Sequence, residues 1–314
     1  MKALNCKSGL IFLALLIAGS SLFAQKVEKD LHKEFKTNKS SVLSMDLKFC
    51  DFNAETWNKN QAVFDVLITV EHNEKAKAKK ILDMIKVVID QDGNDISVDV
   101  KMDKKFSNTN WGKSKKIKIQ IDAKIPAHIN FELENNFGSV TVTELTGVVS
   151  IENNFGSLAI DRLLGTEIDL ELNYGSARFT ELADASVELN YGSIDIKTAA
   201  NLDLELNNGK CNIGSLNNID AEINMGSLEL GKVAATFKLI SIENNMGSVE
   251  VGIDRDAGFL FTGEMQMGSL EYPKLDNLVK SKSKMNLSVK GTYGDGRSLV
   301  NVEGNMGSIE IRLK

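Results

Sequence analysis

Asn135-Asn136-Phe137-Gly138-Ser139-Val140-Thr141-Val142 and Asn153-Asn154-Phe155-Gly156-Ser157-Leu158-Ala159-Ile160 are one phrase written twice, eighteen residues apart. The phrase recurs, with its centre altered, around Gly175, Gly192, Gly209, Gly226, Gly247, Gly268 and Gly307. From Phe131 to Tyr272 the period is 17–21 residues. A repeat of that length reads as one coil of a solenoid, which touches only the coils above and below it.

Aligned on the glycine, the coils fall into columns. Apolar residues stand two and four positions after it, as in Val140 and Val142, Leu158 and Ile160, Leu228 and Leu230, with a mostly polar residue between. Further apolar columns fall five before it (Leu133, Ile151, Leu170) and seven after it (Leu145, Leu163, Leu182). Apolar–polar–apolar alternation marks short half-buried strands. The pattern predicts an all-β chain, a single-stranded β-solenoid of about 17–21 residues per turn with a stacked aliphatic core.

The corner has local reasons. Glycine takes positive φ without a steric penalty, and Asn tolerates the left-handed region. Asn136, Asn154, Asn173, Asn190, Asn207, Asn224, Asn245 and Asn305 precede their glycines by two, with Gln266 in the same place. Identical amides stacked from coil to coil can form a hydrogen-bonded ladder. The residue just before each glycine changes from Phe137 and Phe155 to Tyr174 and Tyr191, then Asn208, then Met225, Met246, Met267 and Met306. It reads as a packed stripe.

Residues 1–24 read as an export signal: Lys2 and Lys7, the apolar run Leu10 to Ile17, and Leu22-Phe23-Ala24 before the cut at Gln25. The run is too short for a membrane span. No cysteine stands at the cut to carry a lipid, since Cys6 lies within the leader. Residues 25–127 read as an N-terminal cap with irregular first turns. Within it Leu43, Met45, Leu47 and Phe49 alternate on one side, and Val63 to Val70 is a strand. Ala78, Ile81, Leu82 and Ile85 fall at helical spacing, and Asp92-Gly93 turns between two strands. Phe106 to Ser114, with Trp111, reads as a polar loop. Residues 128–314 read as the regular solenoid, with a degenerate turn near 276–300, where Val279 to Lys284 reads as a loop. Cys50 and Cys211 form no zinc pattern, and Cys211 occupies a core column, which argues against a bridge between them.

Charge is uneven. Residues 131–272 hold 23 Asp and Glu against 7 Lys and Arg, while the segments on either side are mildly basic. An acidic body excludes nucleic acid as a partner, because binding it needs a basic track. Three positions after the glycine, Asp195, Glu229, Glu250, Glu271 and Glu310 form an outward acidic column, a face that could meet cations or simply keep the rod solvated. Catalytic signals are thin. His32, His72 and His128 all precede the regular coils, and the serines sit in structural corners with no histidine in register. Arg162, Arg178 and Lys197 are too scattered to stabilise the anion of a polysaccharide lyase. The glycines join strand to strand, which is the wrong context for a phosphate loop. No catalytic residue, cofactor or metal ligand set is assigned.

The run Ile117 to Pro126, followed by Asn135-Asn136-Phe137-Gly138-Ser139, Leu145-Thr146-Gly147 and Ile151 to Ser157, resembles the bacterial "putative adhesin" domains of unknown function. It is similar as well to the head domain described for autotransporter adhesins. The resemblance runs from about Ala123 to the C-terminus, and its motifs are specific for fold and poor for function. It implies an exported bacterial β-solenoid of the periplasm, cell surface or cell envelope, and brings no catalytic residues. This chain departs from it in its regular Asn and Met columns.

The expectation is a non-catalytic binding or structural surface with a glycan or protein partner. Two other readings stay open: a carbohydrate-active enzyme on a β-helical frame, and a self-assembling envelope component that stacks end to end through an edge at Ile309 to Leu313.

Overall fold

The computed structural model describes residues 25–108 and 115–314. The leader reading and Trp111 lie outside them.

The repeat builds a stack of coils in one 16-stranded sheet that is not closed into a barrel. Each coil is a strand bent at its glycine. In β9 (Val149–Leu163), Val149, Ile151 and Asn153 point inward from one arm, and Leu158, Ile160 and Leu163 from the other. Between the arms the Asn-x-Gly-Ser corner faces out. The two arms therefore pack their inner faces together, which gives one continuous core along the rod.

Parallel pairing in register carries the pattern from coil to coil. β8 (Asn130–Leu145) lies on β9, β9 on β10 (Ile168–Leu182), and β10 on β11 (Ala185–Val233). β11 winds through three 17-residue coils without a break, then pairs with β12 (Leu239–Ile253). The glycines fall in one line. A β-carbon added to Gly156 would stand 2.0 Å from the carbonyl oxygen of Gly138, and one on Gly175 at 2.0 Å from that of Gly156. Both glycines also have φ near +150° (157° and 144°), which other residues rarely adopt. Close stacking and backbone shape thus demand the same residue.

The coil order is not the chain order. β16 (Ser298–Leu313) lies between β12 and β13 (Phe259–Glu271). β13 then pairs with β15 (Leu287–Tyr293), and β15 with β14 (Asp276–Lys282), both antiparallel. Two expectations change. Ile309 to Leu313 is not a free edge, because β12 pairs along it through Leu313 and β13 flanks it up to Glu310. Most of the lysine-rich segment read as a loop, Val279 to Lys282, belongs instead to β14, an exposed edge strand paired only with β15 among the described residues, and Lys280 and Lys282 put charge on that edge.

At the other end, β2 (Val42–Lys48) and β3 (Asp51–Trp57) are the two arms of the first coil, both resting on β8. Leu43, Met45 and Leu47 are buried as expected, but Phe49 is 57% exposed with φ +54°. Phe49-Cys50 occupies the corner that Phe137-Gly138 occupies one coil later, and the β2 alternation ends there. From this coil the sheet divides. β6 (Asp95–Met102) and β5 (Ile85–Asp92) extend one arm. β7 (Lys115–Pro126), β4 (Gln61–His72) and β1 (Gln25–Lys36) extend the other. Helix α1 (Lys75–Asp83) packs against β1, β4 and β5, burying Ala78, Ile81 and Leu82 at the open end of the core. The segment read as a loop from Phe106 begins with one helical turn, α2 (Lys105–Asn108).

Cys50 and Cys211 are free, buried thiols in different coils, and burial pushes each up to about 12. No helix among the described residues is long and apolar enough to cross a membrane.

Candidate functional site

The residue before each glycine sits at the bend, where neither arm can cover it. Phe49, Phe137, Phe155, Tyr174 and Tyr191 are 42–57% exposed. Met225, Met246, Met306 and Met267 continue the line at similar exposure. The stripe read as packed is thus an open apolar ridge along the whole stack, interrupted once at Asn208. Isolated apolar residues on a surface are ordinary, but a continuous row of this kind is a mark of an interaction site.

The rings are ordered by the coils beneath them. Phe49, Phe137, Phe155, Tyr174 and Tyr191 stack with centroids 4.8–4.9 Å apart and planes within 6°. That spacing is the strand separation itself. Each ring covers the face of the next, so solvent meets a row of ring edges.

Beside the ridge runs the amide ladder foreseen from the corner. Asn154 donates to Asn136 at 3.0 Å, and the donation repeats through Asn173, Asn190, Asn207, Asn224 and Asn245 to Asn305. In four coils the same nitrogen also donates to the glutamate two residues earlier: Asn154 to Glu152, Asn173 to Glu171, Asn190 to Glu188 and Asn207 to Glu205; Asn136, where the ladder starts, donates to Glu134. In those four amides one hydrogen runs along the stack and the other across it. Carboxylates and ridge are held in fixed relation.

Those glutamates belong to a column the sequence reading missed. Asp99, Asp46, Glu134, Glu152, Glu171 and Glu188 stand in register. The 17-residue coils of β11 carry the line through Glu205 and Glu222, and Glu243, Glu303 and Glu264 complete it. The signal was available: a glutamate stands four before the glycine in each regular coil.

The acidic column that was expected, three after the glycine, is shorter and meets groups of the chain itself. Asn212 donates to Asp195 at 2.8 Å, and Lys210 approaches Glu229 at 4.0 Å. Arg312 bridges Glu250, at 2.9 Å, and Glu310. Glu271 lies in register with Glu310. Among the described residues no three His, Cys, Asp or Glu side chains gather closely enough to hold a metal ion.

The histidines lie apart. His32, on β1, pairs with Asp65 at 2.6 Å and Glu34 at 3.1 Å, and Asp65 is the first cause of its raised pKa. His72 ends β4 and accepts from the Glu74 amide at 2.9 Å, and His128 lies between β7 and β8. Arg162 bridges Glu144 and Glu181 on the far arm.

The family model described as Toastrack DUF4097, a domain of unknown function, matches residues 57–312. No protein of curated function matches. Among solved structures, the chain is similar to one from Bacteroides fragilis described as a "putative adhesin", at 11% identity over 90% of this chain and 97% of that one, with a TM-score of 0.40. It is similar to a "putative lipid binding protein" from Parabacteroides distasonis, at 15% identity over 91% and 96%, TM-score 0.39. A "putative cell adhesion protein" from Clostridium sporogenes matches at 13% identity over 92% and 100%, TM-score 0.20.

Proposed function

The chain belongs to the Toastrack DUF4097 family, and from that premise we propose that it is an exported, non-catalytic binding protein whose working surface is the corner ridge. The observation that carries this reading is the exposure of the ring and methionine column along the stack. The amide ladder keeps that column straight and rigid, so little ordering would be needed on binding. Export is inferred from the leader at residues 1–24.

A partner can be a protein or a glycan. The stacking favours a protein. A sugar ring packs best on the open face of an aromatic ring, and here the faces are covered by one another. Ring edges and thioethers instead suit the apolar side chains of a polypeptide.

The test is capture from envelope extracts and on a glycan array, using residues 25–314 and the variant Tyr174→Ser, Tyr191→Ser, Met225→Ser. Partners held by the parent chain and released by the variant support the reading. Identical capture by both chains overturns it.

A further inference from the structure

The ridge and the glutamate column lie side by side along the same arm, and a partner that covers one meets the other. Two residues separate Glu171 from Tyr174, and the same offset repeats in every regular coil. Strand geometry puts about 10 Å between the two columns. That is within the span of one polypeptide segment. The surface offers a row about 43 Å long, nine strand spacings, apolar at every step but Asn208, with carboxylates alongside it throughout.

Charge decides which occupant fits. A second copy of this chain would bring its own acidic column and its acidic body to the same interface, like against like. An anionic lipid surface would be repelled in the same way. A cationic segment would neutralise carboxylates that Asn173, Asn190 and Asn207 already hold in line. The carboxylates stand one strand spacing apart, and among the described residues no three gather around one point. That spread along the rod suits several separate ammonium or guanidinium groups on one chain rather than one small ion.

Resting on the reading of the ridge as the working surface, we infer that its partner is a basic, amphipathic polypeptide segment that lays apolar side chains on the ridge and lysine or arginine on the glutamate column. The two periods differ. The ridge repeats at each strand spacing, and one face of an extended peptide repeats at about 6.7 Å. Recognition therefore follows the pattern of apolar and basic residues, with no single fixed register.

The probe is a fluorescent twelve-residue peptide, (Lys-Leu-Lys-Ser)3, titrated into residues 25–314 and followed by anisotropy. Three comparisons decide the matter: (Lys-Ser)6, (Glu-Leu-Glu-Ser)3 and vesicles of phosphatidylcholine with phosphatidylglycerol. Two variants accompany them. One is Tyr174→Ser, Tyr191→Ser, Met225→Ser. The other is Glu171→Gln, Glu188→Gln, Glu205→Gln, which keeps an acceptor oxygen for each Asn. Thermal melts confirm that both fold. The inference expects the basic apolar peptide to bind, about tenfold weakening in each variant, and loss of binding between about 0.05 and 0.3 M salt. It is overturned if (Lys-Ser)6 binds as tightly, if either variant binds like the parent, or if only the vesicles bind. Ridge-dependent capture from extracts together with no peptide binding would overturn this inference alone and leave the ridge as the working surface.

Discussion

Gly307 stacks directly on Gly247: a β-carbon added to Gly307 would stand 2.1 Å from the Gly247 carbonyl oxygen, although sixty residues separate the two. Gly268, which comes earlier in the chain, lies on the far side of Gly307. The coil of β16, later in sequence than β13, therefore lies inside the stack, and β13 reaches the coils before it through β16. Ending the chain at Gly296 should strip hydrogen-exchange protection from β13 and β15 while leaving β8 to β11 protected, because coil stability passes between neighbours. Persistent protection in β13 would contradict the inserted order.

The glycine column should be intolerant of a single methyl group. Gly175→Ala meets the Gly156 carbonyl oxygen at 2.0 Å and has φ +144°, so a loss on the order of 3 kcal/mol is expected. Gly93→Ala has φ +61° and nothing within 4 Å, and should lose only about 1 kcal/mol. Denaturant melts of the two variants give the comparison, and equal losses would show that close stacking is not the constraint.

Asn190 donates to Asn173 at 2.8 Å and to Glu188 at 2.8 Å, and accepts from Asn207 at 2.9 Å. Asn190→Asp removes both donors and sets acceptor against acceptor. The expected loss is about 2 kcal/mol in the same melts. The glutamate column should also loosen locally, which NMR of the Glu188 side chain would report.

His32 ties the edge strand β1 to β4 through Asp65, its register partner. The Asp65 carboxylate first, and Glu34 second, hold its pKa above the ordinary histidine value. A group whose pKa is raised by folding stabilises the fold fully below its unfolded pKa, and that contribution is lost as pH rises through the folded value. Titration of the His32 ring by NMR should show a raised midpoint that falls in Asp65→Asn. An unchanged midpoint in that variant would remove the pairing.

Much of this could be read in the chain, because each coil restates the same constraint. Asn154-Phe155-Gly156-Ser157 announces the bend, and Leu158 and Ile160 announce the arm that follows. Coil order was not legible: β16 carries the same phrase as β12, and nothing in Met306-Gly307-Ser308 says which neighbours it takes. Phe49 reads as one more step of the Leu43, Met45 and Leu47 alternation because Cys50 stands where the other coils have glycine, which hides the first corner. The exposure of Tyr174 and Met246 was missed because alternation reports the arms of a coil and fails at its bend. The glutamate column was overlooked although Glu152 and Glu171 keep one offset, because polar residues four before the glycine looked like ordinary solvated strand positions.

The most direct test of in-register stacking uses paired cysteines on the ridge. Met246 and Met306 are register partners, as are Met306 and Met267, so each pair stands about 4.8 Å apart, within disulfide range. Met246 and Met267 are separated by a whole coil, about 9.6 Å, which is out of range. Mild oxidation should bridge Met246→Cys with Met306→Cys, and Met306→Cys with Met267→Cys, and leave Met246→Cys with Met267→Cys open. A bridge in the last pair, with none in the first two, would contradict the stack described here.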